Sequence, residues 1–146
     1  MSKHQNYRSQ ESSGFTELNE GLSRIPDWIK NRIDKETITF TEKFGKYLAK
    51  QRFSNSQIRN IFGELKRLQM KGWNDEQETS LLLLKPKLAY SAKRQMGKNA
   101  EKAALDLKDI LSAGIDVVVD SEDPEKSFNN FANLLESILA YHKAFG

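Results

Sequence analysis

The chain has 146 residues, 38% of them hydrophobic, no cysteine and a formal net charge of +3. This composition suits one domain that folds without a disulfide or metal, and it excludes disulfide scaffolds, thiol catalysis and cysteine-based zinc sites. Because the start of the sequence is polar and its longest apolar run is only Leu81–Leu84, we expect no secretory leader, no membrane span and a cytoplasmic protein.

Apolar residues recur with a period close to 3.6 along most of the chain, which predicts an all-α protein. Residues 1–36 are interpreted as a partly ordered N-terminal extension, disordered over its first fourteen residues and then forming short helices on either side of Pro26. Trp28 is too large and apolar to stay bare on a tail, so we expect it to dock on the remaining helices or on a partner.

Residues 37–146 are predicted to form a compact bundle of about five principal helices joined by short loops. The approximate ranges of these helices are 37–51, 54–71, 74–96, 99–119 and 124–145. In the third of them, we expect Pro86 to cause a kink and Leu81–Leu84 to be buried on nearly all sides.

The second principal helix has the clearest start signal in the sequence. Ser54 and Gln57 have the spacing of a capping box, in which each side chain bonds the backbone of the other. Phe53 and Ile58 have the spacing of a hydrophobic staple. Gly72 is expected to end the helix in a left-handed conformation.

Residues suited to catalysis or to binding a metal are scarce. His4 lies in the polar start, and His142 lies on an apolar helix face with no second ligand nearby in sequence, so we interpret His142 as a structural or interface residue. Acidic residues within 120–125 surround a helix start, where they complement the helix dipole. No phosphate-binding glycine loop, nucleophile elbow or zinc-protease motif is present. We therefore expect no catalysis, no metal and no cofactor.

Basic charge is concentrated in the middle of the chain and predicts an anionic partner there. Residues 37–95 hold twelve Lys/Arg against five Asp/Glu, a net charge of +7, whereas residues 96–146 have a net charge of −4. On the second principal helix, Arg59 and Lys66 lie two turns apart on one flank, with Gly63 between them, which leaves room for a phosphate. These bases have few acidic neighbours at helical spacing, so we expect them to be mostly unpaired.

The candidate nucleic-acid-binding residues share a position on or beside the second and third principal helices. They are Lys50, Arg52, Arg59, Lys66, Arg67, Lys85, Lys87, Lys93 and Arg94. An ordinary solvated surface stays open as an alternative for this face. Tyr90 could either stack on a base or pack in the core, and we favour packing in the core. The apolar face of the last helix is expected to pack in the core, but its end, with Tyr141, His142 and Phe145, extends beyond the neighbouring helices and predicts an exposed protein interface.

Three stretches in this order resemble a known family. They are SNSQIRNIFGELKRLQ (54–69), LLLLKPKLAYSAKR (81–94) and FNNFANLLESILAYHKAFG (128–146). Over about residues 37–146, the chain resembles the small helical subunit of the type III-A CRISPR effector, the Csm complex.

The resemblance implies a five-helix, non-catalytic subunit of an RNA-guided antiviral ribonucleoprotein. Its copies would associate as a dimer or stack as a filament, beside the backbone subunit and the large multidomain subunit. They would contact target RNA and the guide–target duplex through basic side chains. By motif, Arg59 lies in SQIR, Lys85 and Lys87 in KPK, and Arg94 in SAKR. Two alternatives stay open: a structural protein–protein adaptor without direct RNA contact, and a nuclease or hydrolase with an unfamiliar site.

Overall fold

Six amphipathic α-helices, and no strand, make up the part of the chain that the computed structural model describes, residues 14–146. They are α1 (Leu18–Lys30), α2 (Lys35–Lys50), α3 (Asn55–Lys71), α4 (Asp75–Lys93), α5 (Lys98–Asp120) and α6 (Pro124–Phe145). The all-α prediction is confirmed, but there are six helices in this part of the chain rather than about five. The extra helix is α1, which continues through Pro26 instead of breaking there.

Helix α1 is held to the bundle by one fully apolar face. Ile25, Trp28 and Ile29 are each at most 1% exposed, and α1 packs against α5 and α6. The free energy gained by burying these three side chains offsets the loss of the backbone hydrogen bond that Pro26 cannot donate. The prediction that Trp28 docks on the other helices is confirmed. The disorder expected near the start, and His4, concern residues 1–13, which lie outside the described residues.

The start of α3 differs from the predicted capping box. Ser54 Oγ accepts from the backbone N–H of Gln57 at 3.4 Å, but the backbone N–H of Ser54 donates to Gln95 Oε1 at 3.0 Å. The Gln57 side chain is engaged elsewhere, because its Oε1 accepts from the hydroxyl of Ser91 on α4. Only half of the box therefore forms, and Gln95, in the turn after α4, supplies the second hydrogen bond.

Helix α4 buries one side of its leucine run and exposes the other. Leu81 and Leu84 are at most 2% exposed, whereas Leu82 is 38% and Leu83 is 53% exposed. The expectation of near-complete burial was wrong, because only one face of α4 packs against α3 and α5. Helix α4 runs unbroken through Pro86, and the kink there stays a prediction.

Helices α2 and α6 approach closely enough that their backbones nearly touch. A Cβ placed on Gly45 of α2 would lie 2.5 Å from Tyr141 Cβ and 2.8 Å from the backbone nitrogen of His142. A Cβ on Gly114 of α5 would lie 2.8 Å from the Phe131 ring. Glycine weakens a helix locally, and here the close packing that it permits offsets this loss.

The end of α6 is only partly exposed. His142 is 2% exposed, and its Nε2 lies 3.1 Å from the Phe53 carbonyl oxygen. The prediction that His142 lies at the exposed end was therefore wrong, because α6 packs there against the turn that contains Phe53, and its role is structural. Phe145 is 46% exposed and stacks on Tyr141, with Lys46 Nζ 5.5 Å from the Phe145 ring centre. The apolar end predicted for α6 is thus reduced mainly to Phe145.

Within residues 14–146, no helix is both long enough and apolar enough to span a lipid bilayer. The same residues contain no group of three or more histidines and acidic residues placed to hold a metal ion.

Candidate nucleic-acid interface

A groove runs between the antiparallel helices α3 and α4. It consists of two adjoining clefts of about 190 and 150 Å³ that share Glu64 and Lys87. We call it the α3–α4 groove; its polar and charged lining residues are Gln57, Asn60, Glu64, Arg67, Lys71, Gln77, Ser80, Lys87, Tyr90, Ser91 and Arg94. The apolar stripes of α3 and α4 face the core, and the packing of the two helices places their polar flanks side by side.

The groove is positively charged. Four cationic side chains (Arg67, Lys71, Lys87 and Arg94) and one carboxylate, Glu64, line it. Lys87 Nζ lies 2.5 Å from Glu64 Oε1, and Arg67 pairs with the other oxygen of Glu64. The hydrogen bond from Lys87 is the main reason that the pKa of Glu64 is held below its usual range, so the carboxylate stays ionised. The single carboxylate is thus already paired with two of the four cations, and the groove lining as a whole has a net charge of about +3.

Lys71 and Arg94 are the exposed cations at the two ends of the groove. Neither forms an ion pair with any residue between 14 and 146. The Arg94 guanidinium carbon lies 5.7 Å from the centre of the Tyr90 ring. A phosphate at either end would therefore meet a cation without having to displace a carboxylate.

Arg59 and Lys66 lie on another flank of α3, next to α6. Lys66 Nζ is 2.7 Å from Glu136 Oε2 on α6 and 5.1 Å from the Phe62 ring centre. Arg59 is exposed and has no carboxylate partner among the described residues. A Cβ on Gly63 would meet nothing within 4 Å, so the helix surface between the two cations is open.

Lys85 and Lys93 lie on the side of α4 that faces α5, away from the groove. Lys85 pairs with Asp116, and Lys93 Nζ is 3.6 Å from Glu101 Oε2. Lys85 and Lys93 therefore lie apart from Lys87 and Arg94, although the two pairs are close in sequence. Each residue along a helix is rotated by about 100° from the one before, and this rotation places the two pairs on different sides of α4.

Lys50 and Arg52 meet at the turn between α2 and α3. They line a cleft of about 310 Å³ together with Lys98, at the start of α5. Arg52 has φ = 65°, a left-handed conformation that is uncommon for a residue with a Cβ. The backbone bond from Phe53 N–H to the Leu48 oxygen, 3.1 Å long, closes this turn. The sequence prediction missed Lys98 because that residue falls in the acidic part of the chain.

The expectation that these bases are mostly unpaired was wrong. Five of the nine candidates form ion pairs with carboxylates: Lys66, Arg67, Lys85, Lys87 and Lys93. All but one of these partners lie on another helix, so helical spacing within one segment could not reveal them. Pairs this exposed contribute about 0–1 kcal/mol each, and their cations remain available to a competing phosphate.

Two groove residues depart from sequence reasoning. Tyr90 is 66% exposed, so the preference for packing was wrong: it lies outside the buried apolar stripe of α4 that contains Leu81 and Leu88. Lys71 lines the groove although it was not among the candidates; its place in the last turn of α3, beside a basic run, was the available signal.

A family model described as Csm2 Type III-A matches residues 30–146, about four-fifths of the chain and all of α2 to α6. No curated protein and no solved structure matches the chain.

Proposed function

The chain belongs to the Csm2 family of type III-A, the small subunit of the type III-A CRISPR effector complex, and from this premise we propose that it binds RNA through the α3–α4 groove. The main support for this role is the cationic lining of the groove, in which Lys71 and Arg94 have no carboxylate partner among the described residues. Membership of the complex implies association with its other subunits.

The groove binds the phosphate backbone of target RNA or of the guide–target duplex. Phosphate contacts position a strand without reading its bases, and base pairing with the guide supplies the sequence specificity. Arg59 with Lys66, and Lys50 with Arg52 and Lys98, form two further cationic patches that extend the contact. We propose that copies of the chain stack as a filament, so that equivalent grooves repeat along the RNA.

The role is a binding role without catalysis, exercised in the cytoplasm. Glu64 is the carboxylate that lines the groove, and two cations engage it. General acid–base or metal-assisted cleavage needs further carboxylates or histidines at the same place. RNA cleavage is therefore assigned to other subunits.

The salt dependence of target binding tests this function in the reconstituted complex with its guide RNA. We expect the double variant Lys71→Gln/Arg94→Gln to bind target RNA more weakly, with a salt slope reduced by about 0.7 per lost phosphate contact on single-stranded RNA. Lys126→Gln/Lys143→Gln removes equal charge from exposed positions on α6 and is the matched control. A groove variant whose slope equals that of the control would refute RNA binding by the groove.

A structural adaptor without RNA contact is the second candidate function. The ion pairs of Lys66, Lys85 and Lys93 with other helices favour it, because such pairs are typical of a surface that serves the fold itself. In that case, the groove variant would be lost from the purified complex, or would bind RNA unchanged. Subunit stoichiometry of the purified complex, measured together with the salt slope, separates the two functions.

A further inference from the structure

Tyr90 is an exposed aromatic ring at the edge of a cleft. Its side chain is among the most exposed large apolar groups in residues 14–146, at 66%. The Arg94 guanidinium carbon lies over one face of the ring, 5.7 Å from the ring centre, and most of the tyrosine nevertheless remains exposed. The tyrosine thus presents a flat surface next to the larger cleft of the α3–α4 groove.

The cleft beside Tyr90 has an apolar floor. Ile61, Leu84 and Leu88 form this floor, and each of them is at most 6% exposed. The exposed side chain of Asn60 lies at its rim, with an amide that both donates and accepts hydrogen bonds. A floor of this kind suits a planar ring with polar edges and does not suit a phosphate group, which needs donors on all sides.

The charges around the cleft indicate that the planar ring belongs to a molecule that also bears phosphates. Lys87 on α4 and Arg94, the residue that caps the end of α4, lie two helical turns apart, and both line the cleft. Two cations spaced along the α4 wall of an apolar cleft complement a base whose strand carries a phosphate before and after it. Paired bases are stacked inside a duplex and cannot enter such a cleft, whereas unpaired bases can be splayed onto aromatic and arginine side chains.

We propose that this cleft binds one unpaired nucleobase of an RNA strand, stacked on Tyr90, with the flanking phosphates at Lys87 and Arg94. The inference rests on the proposed function, since it gives the RNA-binding groove a site for a single-stranded nucleotide. It adds to phosphate binding a contact that depends on the base and not on charge.

Nuclear magnetic resonance titration of the full chain with two small probes tests this site. AMP carries a base, a ribose and a phosphate, and ribose 5-phosphate lacks only the base. We expect AMP to shift the resonances of the Tyr90 ring and of the Leu84 and Leu88 methyl groups in a saturable manner, and ribose 5-phosphate to leave them nearly unchanged. Tyr90→Phe should keep the AMP affinity, and Tyr90→Ala should lower it by about fivefold or more.

Phe145→Ala is the matched control for loss of an exposed aromatic ring. Phe145 is 46% exposed and also has a cation, Lys46, over its ring, but it lies on α6 outside the groove. Equal shifts with both probes, shifts that map away from the groove, no saturable shift with AMP, or full AMP affinity in Tyr90→Ala would each overturn the base site. None of these outcomes alters the salt slope of the complex, so the proposed function is judged separately.

Discussion

The hydroxyl of Tyr47 donates to Oδ2 of Asp106 at 2.7 Å, and this oxygen also accepts the backbone N–H of Phe15 at 3.1 Å. Asp106 is 0% exposed, and Lys102 Nζ lies 3.2 Å from its other oxygen. Burial, reinforced by the Asp106 carboxylate, raises the pKa of Tyr47 far above its ordinary value, so the phenol remains a donor. One buried carboxylate thus joins α2, α5 and the residues that precede α1.

Replacement of Asp106 should be costlier than replacement of its partner. Tyr47→Phe removes one hydrogen bond to a charged group, and we expect it to lower the free energy of unfolding by about 1.5–3 kcal/mol. Asp106→Ala leaves both Tyr47 and the Phe15 N–H without an acceptor and should cost more than this. Urea denaturation of the two variants gives the comparison. Equal losses would mean that the Phe15 contact contributes nothing to stability.

Because His142 is buried, we expect the protein to lose stability in mild acid. Nε2 of His142 donates to the Phe53 carbonyl oxygen, which can only accept, so Nδ1 is the unprotonated nitrogen; it is buried and has no partner among the described residues. Burial lowers the pKa of His142 below its usual value near 6.5. The unfolded chain therefore takes up the proton first, and this contribution to stability is present above pH of about 6.5 and is lost as pH falls through the lowered pKa.

The test of His142 is the pH dependence of the urea midpoint. We expect His142→Gln to be less stable near neutral pH and to lose less stability than the wild type between about pH 7 and about pH 5. His4→Gln, the other histidine of the chain, serves as the control and should keep the wild-type dependence. An unchanged pH dependence in His142→Gln would assign the acid sensitivity to other groups.

Replacing either of two helical glycines by alanine should change the stability of the protein, in opposite directions at the two positions. At Gly45 the added Cβ meets Tyr141 Cβ and the His142 backbone nitrogen, so α2 and α6 must separate, and we expect a loss of about 1–3 kcal/mol. At Gly63 the added Cβ meets nothing within 4 Å, and the better helix propensity of alanine should stabilise the protein by about 0.5–1 kcal/mol. Thermal melts of both variants suffice. Similar effects at both positions would contradict the close approach of α2 and α6.

Removal of α1 should destabilise the remaining helices. The division of the chain at residue 36 stays a prediction, and a chain of residues 37–146 tests it directly. This shorter chain would expose the apolar faces of α5 and α6 that Ile25, Trp28 and Ile29 cover. We expect a lower melting temperature and increased binding of a hydrophobic dye. A melting temperature equal to that of the full chain would identify α1 as a dispensable extension.

The amino-acid sequence by itself determined where the helices lie. Period-3.6 patterns predicted the five helices α2 to α6 to within about three residues at each end. Local signals are responsible, because Ser54 before α3, Gly72 after it and Pro124 at the start of α6 act on backbone groups within a few residues of themselves. The short helices predicted on either side of Pro26 are instead one continuous α1, because the burial of Ile25, Trp28 and Ile29 outweighs the hydrogen bond that Pro26 removes. The family resemblance lay in motifs that are also local.

Only the tertiary structure decided which polar side chains meet. Lys66 and Glu136 are 70 positions apart, and Lys87 and Glu64 are 23 apart, yet both pairs are in contact. The exposure of Tyr90 and the burial of Leu88 depend on which face of α4 packs against α3 and α5. Helical periodicity places residues on a face, but the packing of whole helices determines whether that face meets the core, a carboxylate or solvent. The groove exists only between two helices, so neither helix encodes it alone.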